Sequence, residues 1–156
     1  MSQIDEQRQA IIAAIQAMSA TTGVASADVR GAAAVEDVWE LAVKPKMIFV
    51  VYGGLERGPD RQPIGNKLWT PATLHWVIVP VVQGYQDPTS ANTQTGGADA
   101  IVEAVRAIRD VQVGPASQPK TYLMLAAEQL ITPPDRPARG GPVGYAATYK
   151  TTQMFV

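Results

Sequence analysis

The side chains able to do chemistry are few and scattered. His75 is the only histidine, so any serine–histidine–acid arrangement must pass through it. It lies between Leu74 and Trp76 in an alternating segment, and no Gly-x-Ser-x-Gly elbow supplies a nucleophile. The pattern favours a structural histidine on the less buried face of a strand. Glu36, Asp37 and Glu40 offer hard oxygen ligands, and Glu36 and Glu40 share a face at helical spacing. A calcium- or magnesium-type site wants further oxygens from rigid positions, and a solvated acidic face accounts for the three without them. Asp99, Glu103 and Asp110 read the same way, with Arg106 three residues beyond Glu103. Tyr52-Gly53-Gly54 has the start of a phosphate loop, but Pro59 and Pro63 follow it and Gly65-Asn66-Lys67-Leu68 lacks the Gly-Lys-Ser/Thr ending. Gly96-Gly97 precedes a helical pattern whose first N–H groups could hold an anion; a plain lead into that helix is the simpler reading. With no cysteine in 156 residues there is no thiolate and no disulfide. No catalytic residue, metal-ligand set or cofactor motif is predicted.

The elements that must position these residues follow from periodicity. Ser2 and Asp5 have capping-box spacing, and Ile4, Ile11, Ile12, Ile15 and Met18 recur as a helical stripe up to about Ser19. The segment 24–31 is ambiguous, with a short edge strand as one reading. Val35, Val38, Trp39 and Ala42 predict a short helix ended by Pro45. Met47 to Tyr52 is a β-branched and aromatic run apolar on both faces, which predicts a covered strand. Leu74, Trp76 and Ile78 alternate with Thr73, His75 and Val77 in a further strand. Pro80 lies within it and requires an edge, a bulge or a bend, because proline cannot donate to a ladder. Ala98, Ile101, Val102, Val105 and Ile108 trace the clearest helix, closed by Gly114-Pro115. A strand is expected over 122–131, with a short helix over Met124 to Leu130 as the other reading, and a last strand carries Tyr145, Ala147, Tyr149, Thr151, Gln153 and Phe155 on one side.

Three long Gly/Pro-rich interruptions separate these elements, at 53–71, 84–97 and 132–142. Structureless loops beyond ~12–15 residues are uncommon and usually serve binding or are disordered. The first carries Glu56, Arg57, Asp60, Arg61, Lys67 and Trp69; the third carries Asp135, Arg136 and Arg139 between prolines. Arg and Trp are favoured interface anchors. With Tyr149 and Lys150 of the last strand they make up the candidate contact residues, to be weighed against plain solvated loops.

Composition sets bounds. The hydrophobic content of 46% can fill one core, and 17% charged residues is below the usual ~25%. Thirteen basic and fourteen acidic residues are interspersed, net charge −1, with no basic block of the kind that marks a nucleic-acid footprint. The polar, acidic start at Ser2 to Glu6 does not resemble a signal peptide, and no apolar run approaches ~18 residues. A cytoplasmic protein with no membrane partner and no specific nucleic-acid binding is expected. The fold class is α/β in the broad sense, α+β in detail: a single domain over 1–156, with a largely antiparallel four- to five-stranded sheet, two main helices on one face and long inter-strand loops.

The run Lys44-Pro45-Lys46-Met47-Ile48-Phe49-Val50-Val51-Tyr52-Gly53-Gly54, the opening amphipathic helix, the Trp76 strand and Gly97-Ala98-Asp99-Ala100-Ile101 together resemble the Mu-like phage tail-terminator, or tail-completion, family. The likeness covers most of the chain in order and spacing, although none of its motifs is a catalytic signature. It implies a non-enzymatic virion protein at the head-proximal end of the tail, made in the host cytoplasm. It further implies a homohexameric ring that caps the tail tube, with the tube protein and possible sheath and head-connector proteins as partners. A head–tail stopper or other neck protein is the structural alternative, and a small ligand-binding or enzymatic α/β domain using Gly96-Gly97 and His75 is the alternative of another class.

Overall fold

Ser2 begins the first helix as its spacing requires. In the computed structural model, which describes residues 2–58, 61–82, 103, 105–106, 108, 112–113, 121–131, 133 and 142–155, α1 (Gln3–Gln16) is capped by Ser2. The Ser2 hydroxyl accepts from the Asp5 N–H at 3.1 Å and donates to the Asp5 carboxylate at 2.8 Å. One orphan N–H of the first turn is thereby satisfied. A further turn, α2 (Ser19–Thr22), ends at Gly23. The chain then enters β1 (Val29–Ala32), followed by a 3-10 turn over Val35–Asp37 and α3 (Val38–Leu41).

The remaining strands are β2 (Lys46–Arg57), β3 (Gln62–Ile64), β4 (Lys67–Val82), β5 (Gln112–Val113), β6 (Thr121–Tyr122), β7 (Met124–Ile131) and β8 (Val143–Phe155). The sheet runs β1-β2-β4-β8-β7, with β3 added on the extension of β4; β5 and β6 pair separately. Every pair is antiparallel except β1 with β2. The mixed α+β class and the mostly antiparallel five-strand path agree with expectation. The segment at 24–31 does hold an edge strand, and its pairing with β2 is parallel because a crossover through α3 separates the two.

Alternation along β2 and β4 divides the core in two. On one face Ile11 and Ile15 of α1 pack with Ile48, Val50, Trp76, Ile78 and Tyr149. Val105 and Ile108 join this cluster; Glu103 and Val105 are helical, and Arg106 and Ile108 continue as a 3-10 turn. On the other face Val38 of α3 and Ala42 cover Met47, Phe49, Val51, Val79 and Val81. The two main helical segments therefore share a face, while the short helix covers the opposite one. A strand covered on both sides can be apolar at every position, and Met47 to Val51 is buried throughout. Among the described residues no helix is long and apolar enough to cross a membrane.

One expectation needs correction, and the sheet fixes the places of Pro80 and of the last strand. The interruption at 53–71 is no loop: β2 continues to Arg57, and Arg57 is in register with Ala72. Pro80 lies on no edge. It sits in β4 between β2 and β8, and the β4–β8 ladder skips from Ile78↔Ala147 to Val81↔Gly144, which removes the pairing its missing N–H would have required. The last strand, β8, is internal, flanked by β4 and β7. The interruption at 84–97, and all of 132–142 except 133 and 142, lie outside the described residues.

Candidate contact surface

A bulge builds the most distinctive surface. Tyr52 faces Trp76 and Gly54 faces His75, so Gly53 is one residue extra on β2. Gly54 takes φ +108°, a value side-chain-bearing residues rarely adopt. A Cβ on Gly53 would lie 3.2 Å from the His75 carbonyl oxygen. The Gly-Gly pair thus bends the strand and re-aims it without ending it. Beyond the bulge the β2–β4 ladder runs on, Gly58 N–H bonds the Pro71 carbonyl at 2.8 Å, and β3 folds back on β4 with Gln62 opposite Trp69 and Ile64 opposite Lys67.

The result is a β-arm past the bulge, made of the ends of β2 and β4 and of β3. β4 stays paired with β8 from Thr70 to His75, so only the β3–β4 hairpin extends beyond the three-stranded part. The arm gathers five of the expected contact residues: Glu56, Arg57, Arg61 and Lys67 are exposed, and Trp69 is half-buried. Leu68, 54% exposed, joins them. Glu56 reaches back to His75, with its Oε1 3.7 Å from Nε2. Lys150 is exposed and in register with His75, so it shares that face of the sheet with Glu56. Tyr149 does not belong to the surface. It is fully buried against the α1 side of its own sheet, because the residue preceding an outward Lys150 must point inward. Asp60, Asp135, Arg136 and Arg139 lie outside the described residues.

Sequence reasoning missed three features. Trp76 Nε1–H donates to Gln7 Oε1 at 2.7 Å in the buried core, a contact 69 residues apart that no local pattern announces. Arg106 holds the Glu128 carboxylate with two guanidinium N–H groups, one at 2.7 Å to Oε1. That hydrogen bond, against an opposing effect of burial, keeps the Glu128 carboxyl below its ordinary value and raises the Arg106 guanidinium above its own. Burial raises the Tyr52 phenol. The third feature is an exposed pair, Leu41 at 45% and Val43 at 72%; Leu41 lies off the Val35-Val38-Trp39-Ala42 stripe, so its exposure was readable.

Among the described residues no group of three or more histidine, aspartate or glutamate side chains is placed to hold a metal ion. The arm's described residues offer contact chemistry: cations, the Glu56 carboxylate, and apolar side chains on a paired backbone. No protein-family model matches the chain, and no curated protein is similar to it in sequence.

Proposed function

We propose that this chain is a structural subunit of a phage tail, a terminator that assembles into a ring, caps the tail tube and joins it to the head connector. The observation that carries the reading is the β-arm. It places Arg57, Arg61, Lys67 and Leu68 in solvent beyond the bulge at Gly53, where they are free to meet another chain. The order and spacing of elements that resemble the tail-terminator family supply the kind of partner. Such a subunit acts by surface complementarity, covering the last exposed ring of the tube so that no further tube protein adds.

The reading is tested in the virion and by deletion. Antibody labelling or a density map is expected to find the protein as a ring at the head-proximal end of the tail, and deletion of its gene is expected to give tails of uncontrolled length. A protein absent from virions, or one whose loss leaves tail length and head joining unchanged, would overturn it.

A further inference from the structure

Five large apolar side chains stand exposed among the described residues: Leu41, Val43, Leu68, Tyr122 and Met124. Leu41 ends α3 and Val43 follows it, where Val38 and Ala42 bury the inner side against Met47, Phe49 and Val51, leaving the outer side bare. Three exposed carboxylates stand on that outer side, Glu36, Asp37 and Glu40, with Lys44 and Lys46 on the link into β2. Leu68 stands at the far end of the same strand pair, on an arm that also exposes the cations Arg57, Arg61 and Lys67. Among the described residues one exposed carboxylate, Glu56, accompanies them and is held towards His75. Apolar side chains thus sit beside carboxylates at one end and beside cations at the other.

The two patches cannot meet within one molecule. α3 lies over Met47–Val51, which pair with Val81–Val77 of β4, and Leu68 stands nine residues or more further along β4, about 30 Å or more at ~3.3 Å per residue. Between molecules they fit: Leu68 against Leu41 and Val43, with Arg57, Arg61 and Lys67 towards Glu36, Asp37 and Glu40. Apolar contact supplies affinity, and opposite charge sets orientation and suppresses like-to-like pairing. The geometry points to a second copy of this chain as the occupant of both patches, the arm of one subunit lying on the outer side of α3 of the next. This rests on the ring reading above and deepens it. A contact between two different patches leaves one of each free in any pair, so association proceeds head to tail until a rotation closes it.

Charge exchange tests the pairing. Sedimentation velocity of the full chain over a range of concentrations is expected to show self-association that weakens with salt. Arg57→Glu with Arg61→Glu and Lys67→Glu is expected to move the association midpoint about tenfold or more to higher concentration. Glu36→Lys with Asp37→Lys and Glu40→Lys should do the same. All six together restore opposite charge across the contact, so that variant should self-associate within about threefold of the parent yet fail to co-assemble with it. Circular dichroism checks that each variant is folded. Association untouched by either triple, or lost in both and not recovered in the sixfold variant, overturns the pairing and leaves the ring reading standing. A chain that stays monomeric at every concentration also overturns the pairing, and virion labelling then decides the ring reading by itself.

Discussion

At the scale of single residues, two polar contacts tie distant parts of the chain together. Gln7 is fully buried and accepts from the Trp76 indole N–H, while the Arg8 guanidinium lies 5.9 Å from the centre of the same ring. A buried donor left without an acceptor costs ~1–3 kcal/mol. Gln7→Met keeps the volume and removes the acceptor, so urea denaturation should show a loss in that range. In a Trp76→Phe background, which has no N–H to orphan, the same change should cost clearly less; equal losses in both backgrounds would assign the effect to packing alone. The Arg106–Glu128 pair makes a pH prediction. The Glu128 carboxyl is held below its ordinary value, so its contribution is full above the ordinary carboxylate range. It is lost as pH falls through the depressed native value. Arg106 is 41% exposed, so solvent screening limits the contribution to about 1 kcal/mol. Glu128→Gln should remove that part of the acid limb of a stability–pH profile and leave the slope above pH 7 unchanged. Neither contact shows in sequence, because 69 and 22 residues separate the partners and side-chain pairing at such range depends on strand order.

At the scale of elements, close approach in the sheet sets the constraints. A Cβ on Gly144 would lie 2.9 Å from the Pro80 carbonyl oxygen, at the place where the β4–β8 ladder is interrupted. Backbone on one side and a central strand on the other leave little room to yield. Gly144→Ala is therefore expected to destabilise the fold by ~1–3 kcal/mol, measured by thermal or urea unfolding, whereas alanine at the exposed position Asn66 should be near neutral. The same economy explains what was legible. α1, β2 and β4 were readable because the Ser2 cap, the Met47–Tyr52 run and the Leu74-Trp76-Ile78 alternation are local signals. The β-arm was not: Gly53-Gly54, Pro59, Pro63 and Gly65 each signal a turn, and a bulge uses the same residues as a loop. The ladder from Gly54↔His75 to Arg57↔Ala72 is held by the partner strand, which a single-strand pattern does not contain.

At the scale of the whole molecule, strand order decides which residues are available to other chains. The alternation of Tyr149 and Lys150 was legible, but the placement of β8 between β4 and β7 depends on the pairing of the entire sheet, and that placement withdraws Tyr149 from the surface. The end of the arm at 65–69 and the outer side of α3 lie outside both core clusters, so their backbones are expected to open without disturbing the core. Hydrogen exchange reports such local opening separately from global unfolding. At concentrations where the chain is monomeric, amides of β3 and of 65–69 should exchange much faster than those of 47–51 and 76–79, which are flanked by paired strands within the sheet. On assembly through the proposed contact, protection should rise at both 61–69 and 38–44 and stay unchanged in the core strands. Protection gained along β7 instead, whose outer edge has no partner strand among the described residues, would mean that copies join by edge-strand addition and that the arm serves a different partner. The two patterns are separable because β7 and the arm share no residues, and a peptide-level map of 121–131 against 61–69 tells them apart.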